Sequence, residues 1–241
     1  METLQALIFD VDGTLADTER DGHRVAFNLA FADAGLDWHW DEDWYGELLA
    51  VTGGKERIRF FVERHLPEFA ARPDFDALVK SLHATKTAHY ARLVETGQLP
   101  LRPGIARLIE AARAAGLRLA IATTTAPENV EVLLRTSLAR EAPDWFEVIG
   151  AGDIVPAKKP APDIYQWVLE RLNLPAAACL ALEDSENGLK SSRATGIPTL
   201  ITENTYTHGQ DFTGALKVLP DLAATTLADV RSIFARTSSS V

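Results

Sequence analysis

A chain of 241 residues has room for a sizeable core in one or two domains, and 46% apolar with 24% charged residues is the balance of a globular protein. The formal net charge of −10, from 34 acids against 24 bases, argues against non-specific nucleic-acid binding, and no apolar run approaches a membrane span. Met1-Glu2-Thr3-Leu4-Gln5 lacks the order of a secretory signal and the single cysteine, Cys179, has no disulfide partner, so a cytoplasmic protein is expected.

The first predicted strand covers 6–10. Its apolar run, Leu7-Ile8-Phe9, ends in Asp10-Val11-Asp12-Gly13-Thr14. Carboxylates at the end of a buried strand are costly unless a cation or a reaction needs them. Two residues apart in an extended segment, Asp10 and Asp12 share one face. That spacing suits a nucleophile beside a general acid, or a pair of oxygen ligands for Mg²⁺.

From Asp17 to about Leu99 only helical patterning follows: His23–Ala34, Glu56–His65 and the long amphipathic Phe75–Val94. The segment closes before the turn-rich Pro100-Leu101-Arg102-Pro103-Gly104. An all-helical insert, 17–99, is therefore expected over the mouth of an α/β domain made of 1–16 and 100–241. Within it, Thr52-Gly53-Gly54-Lys55 precedes a helical stretch, where backbone N–H groups and a helix N-terminus can receive an anion. Arg57 lies within reach. An ordinary Gly-Gly turn is the alternative. His23, His65, His83 and His89 fall in helical stretches and read as surface or core residues.

Beyond residue 100, strands predicted at 117–123, 146–150, 178–183 and 197–201 alternate with helices at Gly104–Ala115, Pro127–Ala139, Pro162–Leu172 and Asn187–Thr195. This is the pattern of a Rossmann-like α/β fold with a parallel sheet, whose ligands gather beyond the carboxyl ends of the strands. Three of those ends carry polar groups. Thr123, followed by Thr124 and Thr125, can donate to phosphate oxygens without adding charge, although threonines there also serve as plain strand and turn residues. Lys159, between Pro156 and Pro160, is placed to hold a phosphoryl group and a carboxylate together, with Lys158 the solvated neighbour. Glu183-Asp184-Ser185 sets adjacent acids after Cys179-Leu180-Ala181-Leu182, which implies a cation such as Mg²⁺, or else one acid capping the next helix. The polar tail Thr237-Ser238-Ser239-Ser240 is expected to be disordered.

Asp10–Thr14, Thr123, Lys159 before proline, and Glu183-Asp184-Ser185, in that order along nearly the whole chain, resemble the haloacid dehalogenase superfamily. The helical insert after the first motif looks like the small cap of its β-phosphoglucomutase-like branch. The stretches 17–24, 52–57 and 156–165 are similar to CbbY-type sugar phosphatases, which act on xylulose 1,5-bisphosphate. The resemblance implies Asp10 as nucleophile and Asp12 as general acid and base. It implies Mg²⁺ held by Asp10, the backbone carbonyl of Asp12 and Asp184, with Glu183 either reaching the metal or orienting Lys159. Thr123, Thr124 and Lys159 would bind the transferring phosphoryl group. Glu19 would accept from sugar hydroxyls, and Thr52, Gly53, Gly54, Lys55 and Arg57 would take the substrate's other end. The expected protein is a monomeric, Mg²⁺-dependent phosphatase converting xylulose 1,5-bisphosphate to xylulose 5-phosphate, with no nucleic-acid or membrane partner. A phosphosugar mutase and a non-catalytic phosphosugar sensor are the alternatives. A dehalogenase is disfavoured, because a halide needs no acid to leave.

Overall fold

The computed structural model describes residues 3–51 and 54–235. Thr52, Gly53 and the tail expected to be disordered lie outside the described residues. The chain divides into two compact units, one holding the described residues up to Asp17 and from Pro100 on, the other Thr18–Leu99. Asp17, expected in the insert, falls with the sheet unit, where its carboxylate lies 3.3 Å from Arg102 Nε.

Six strands build the sheet: β1 (Ala6–Phe9), β2 (Arg118–Ala122), β3 (Val148–Gly150), β4 (Cys179–Glu183), β5 (Thr199–Thr202) and β6 (Lys217–Leu219). Their order is β3-β2-β1-β4-β5-β6, and every neighbouring pair is parallel. Five of them match the predicted strands within two residues at each end. The sixth was not expected. β6 is a three-residue edge strand with Lys217 and Val218 exposed, so it carries no apolar run to read.

The insert opens on a π-helical turn, Thr18–His23, and continues through α1 (Arg24–Asp33), α2 (Glu42–Leu48), α3 (Gly54–His65), α4 (Pro67–Ala70) and α5 (Phe75–Glu95). As expected, its described residues include no strand. α1 and α5 pack against each other, and Phe27, Phe31, Trp40, Tyr45, Ile58, Val62, Val79 and Leu82 are buried. Asn28 pins the connection from α1 to α2: its amide donates to Trp40 O and accepts from Trp40 N, both at 2.8 Å. Asp41 then caps α2 by accepting from Trp44 N at 2.8 Å.

The sheet unit adds α6 (Ile105–Ala114), α7 (Pro127–Ser137), α8 (Asp163–Leu172), α9 (Glu186–Ala194) and α10 (Leu227–Ala235). α8 lays Ile164, Tyr165, Val168 and Leu172 on the sheet face formed by Ala6, Ile8, Ala120, Ala122, Cys179 and Ala181. The strand residues there are mostly small, which lets a helix bearing a tyrosine lie close. Truncating Ile164 to alanine in such a core costs on the order of 2–5 kcal/mol. The strand order reverses direction between β1 and β4, the place where sheets of this kind bind ligands beyond the carboxyl ends. None of the helices among the described residues is long and apolar enough to cross a membrane.

Candidate active site

Asp10 extends the ladder one residue past β1, its N–H donating to Leu182 O at 3.0 Å. Its carboxylate therefore sits beside the two acids at the end of β4. Asp10, Glu183 and Asp184, all buried, each offer an oxygen within 4.8 Å of the others. Lys159 Nζ enters the cluster and donates to Asp10 Oδ1 at 2.6 Å, Glu183 Oε1 at 2.6 Å and Ala122 O at 2.9 Å. An ammonium has three hydrogens, so all of its donors are used.

Burial alone would lower the lysine's pKa, but the charges of Asp10 and Glu183 outweigh it and raise the value above normal. Burial pushes Glu183 up to about 7 against the pull of Lys159. Asp184 is raised well above the carboxylate range, first by burial and then by the charges of Asp10 and Glu183. One lysine among three buried carboxylates leaves negative charge uncompensated. This hard-oxygen donor set fits a divalent cation such as Mg²⁺.

Gly13 makes the close approach possible. It sits at φ +80°, and a Cβ there would lie 2.2 Å from Asp184 Oδ2. Behind it, Arg102 donates through Nη1 to Gly13 O at 2.5 Å and Thr202 O at 2.7 Å, and through Nη2 to Glu203 O at 2.7 Å.

Asp12 does not join the carboxylate cluster with its side chain. It accepts instead from the Thr125 hydroxyl. Thr123 is buried and its Oγ1 accepts from Thr125 N at 3.2 Å, while Thr124 is exposed. The hydroxyl that reaches a candidate catalytic carboxylate is thus the third threonine of the run. Glu183 accepts from Lys159 through Oε1, as an orienting role needs, and it also stands in the group of acids that could hold a metal. Tyr165, buried on α8, donates to the same Oε1 at 2.5 Å, and Gly188 leaves room for Oε2, which a Cβ would meet at 1.9 Å. Asn204, two residues past β5, donates to Asp184 Oδ2 at 2.8 Å. Sequence reasoning missed Thr125, Tyr165, Asn204 and Arg102.

The insert holds a second polar cluster. Tyr45 OH donates to Glu19 Oε2 at 2.5 Å and accepts from Arg57 Nη1 at 2.6 Å, with Arg57 Nη1 3.7 Å from Glu19 Oε2. Arg57 is 8% exposed, and its Nε has no partner among the described residues. Lys86, equally buried, donates to His23 Nδ1 at 2.9 Å, so the ring carries its proton on Nε2. His23 stacks on Tyr90 with ring centroids 4.0 Å apart. Burial lowers the His23 pKa to about 4, and the charges of Lys86 and Arg57 add to that. Burial works against charge on Glu19, yet His23 when protonated, Arg57, the Tyr45 hydroxyl and Lys86 hold its carboxyl below the usual range.

Of the residues predicted for this end, the structure unites Glu19 and Arg57. Gly54 opens α3, Lys55 is exposed, and Thr52 and Gly53 lie outside the described residues. His23, read from sequence as an ordinary core or surface residue, belongs to the cluster. Lys86 and Tyr45 were missed.

A lysine and three buried acids thus converge at the carboxyl edge of the parallel sheet. The family model for haloacid dehalogenase-like hydrolases matches residues 4–196. The chain belongs to that family and is a phosphatase within it. It is 54% identical over 219 residues to the plasmid CbbY protein of Cupriavidus necator, covering 91% of this chain and 86% of the relative. The crystal structure of CbbY from Rhodobacter sphaeroides in complex with phosphate superposes with a TM-score of 0.74 at 45% identity, covering 94% of this chain and 99% of that one. A mutant of the same protein, solved with xylulose-(1,5)bisphosphate, matches with the same TM-score, identity and coverage.

Proposed function

We propose that the protein is a Mg²⁺-dependent phosphatase of small phosphorylated sugars, with xylulose 1,5-bisphosphate converted to xylulose 5-phosphate as the specific reaction. The observation that carries this reading is the buried Asp10–Glu183–Asp184 cluster with Lys159 clamped inside it. A carboxylate oxygen of Asp10 attacks phosphorus, and the bond from phosphorus to the sugar oxygen breaks. Asp12, oriented by Thr125, gives its proton to the leaving sugar oxygen. It then takes a proton from water, whose oxygen attacks phosphorus as the bond to Asp10 breaks, and phosphate departs. Lys159 carries positive charge next to the nucleophile, where the transferring group becomes most negative. Asp10, Asp184 and the backbone carbonyl of Asp12 would hold Mg²⁺, which supplies Lewis-acid stabilisation of the phosphoryl oxygens.

The insert cluster supports the choice of a doubly phosphorylated substrate. Arg57 and Lys86 are buried cations whose charges both act on the Glu19 carboxylate, a balance suited to a second phosphate. The complex of the Rhodobacter sphaeroides relative supports the same choice.

The test is Mg²⁺-dependent phosphate release over a panel of sugar mono- and bisphosphates, with the sugar product identified. Xylulose 1,5-bisphosphate should be the best substrate and should release one phosphate. Full activity in excess chelator after dialysis would overturn the metal role. Return of the phosphoryl group to another hydroxyl, without net phosphate, would mark a mutase.

A further inference from the structure

We infer that Asn204 is a positioning residue that fixes the carboxylate of Asp184 for metal binding, an inference that rests on the Mg²⁺ reading above. Two backbone N–H groups, those of Tyr206 and Thr207, donate to one terminal atom of its side chain at 2.9 and 3.2 Å. These groups can only donate, so that atom is the amide oxygen and the other is NH₂. The Asn204 backbone N–H in turn donates to Thr207 Oγ1 at 2.9 Å, closing the turn. With the amide oxygen held in this way, the amide cannot flip.

Its NH₂ then points one way. It donates to Asp184 Oδ2 at 2.8 Å and to Gly13 O, more weakly, at 3.4 Å. Oδ2 is also the oxygen packed against Gly13. Asp184 Oδ1 accepts no hydrogen bond from the described residues, which leaves it as the oxygen a cation can take. Asp184 is buried beside two other carboxylates, whose repulsion would turn its side chain away. A neutral amide opposes that rotation without neutralising the acid. A lysine or arginine at 204 would hold Asp184 equally well but would compete with the cation for its charge.

The experiment is calorimetric titration of Mg²⁺ into the substrate-free protein, for the parent, Asn204→Ala and Thr207→Ala, with thermal melts of each. Loss of a hydrogen bond behind a metal ligand typically weakens metal binding about 10–100-fold. Asn204→Ala is expected to weaken Mg²⁺ binding by that factor. Thr207→Ala, which loosens the same turn but leaves the amide in place, is expected to stay within about twofold of the parent by the same reasoning. Should Asn204→Ala fail to fold, Asn204→Ser keeps a turn-capping hydroxyl too short to reach Asp184 and carries the same expectation.

Unchanged Mg²⁺ affinity in the Asn204 variant overturns the inference while leaving the metal reading intact. Equal losses in the Asn204 and Thr207 variants assign the effect to the turn, and also overturn it. A parent protein that binds no Mg²⁺ removes both readings together.

Discussion

The acid cluster beyond β1 and β4 and the polar cluster of the insert carry opposite imbalances of charge. The first sets Asp10, Glu183 and Asp184 against Lys159. The second sets Arg57 and Lys86 against Glu19, with His23 neutral near pH 7. Buried charge left unpaired is expensive, so on the proposed reading a cation would complete the first cluster and an anion the second. They also differ in how they are built. The sheet cluster hangs on strand ends whose positions the ladder dictates. The insert cluster is assembled from single side chains on a π-turn and three helices. Chemistry that depends on fixed distances belongs on the first kind of frame, and discrimination between substrates can be adjusted on the second without disturbing it.

The largest effect expected in the acid cluster is that of Asp10→Asn. The amide cannot attack phosphorus, so turnover should vanish while circular dichroism stays that of the parent. More than a trace of phosphate release would remove Asp10 from the nucleophile role. Asp12→Asn is the next largest, with a loss on the order of 10²–10⁴-fold, typical of general acid–base catalysis. Single-turnover phosphorylation by a nitrophenyl phosphate should recover part of that loss, since its leaving group hardly needs the proton. Equal losses for good and poor leaving groups would overturn the assignment.

These two residues were also the most legible in the sequence. An apolar run that stops at Asp10 and another that stops at Glu183-Asp184 point to buried charge, and the two together outweigh the turn or helix cap that either would suggest alone. Five strands and the helical character of the insert follow from apolar patterning, and the alternation of strand and helix implies a parallel sheet, although the order of its strands was not read from the sequence. The supporting side chains were harder to see for a physical reason. Tyr165 lies on the buried stripe of α8, where a tyrosine reads as packing, and Thr125 was hidden in a run of three alike. Asn204 follows a predicted strand by three residues, just past the strand-end positions that were read for polar groups. In the insert one signal was present and went unused. The buried stripe of α5 runs Phe75, Val79, Leu82, Lys86, Tyr90, Val94, and a lysine in an otherwise apolar stripe has to have a partner.

Arg57→Ala probes the second cluster. Hydrogen bonds to charged groups contribute about 1.5–3 kcal/mol, so the preference for a bisphosphate over its monophosphate counterpart should fall by about tenfold or more. A small aryl phosphate, with nothing to offer the insert, should be turned over nearly as before. Lys55→Ala is the contrast. That lysine is exposed, and its contribution should be less than about threefold and disappear at high salt. If Arg57→Ala lost the same factor on every substrate, the cluster would be serving the fold and not the choice of substrate.

The smallest effect expected is on stability and concerns His23. Its pKa is about 4 in the folded protein against an ordinary 6.5, so between those values the unfolded chain binds a proton that the folded one refuses. Stability is therefore complete above pH 6.5 and declines as the pH falls toward 4. A proton on His23 would place a third positive charge beside Lys86 and Arg57 and take away the acceptor that Lys86 now uses, with Glu19 as the compensating carboxylate and Tyr90 stacked on the ring. Glu19, held below its ordinary value, prolongs the decline below pH 4.5. The histidine's share is on the order of 2 kcal/mol, or roughly 5 °C in Tm for a chain of this size. His23→Gln has nothing to titrate, and its Tm should fall less than the parent's between pH 6.5 and 4.5, by that amount. Parallel curves for the two proteins across this window would mean that His23 is not held neutral, and the insert would then be more cationic at neutral pH than the comparison with the acid cluster requires.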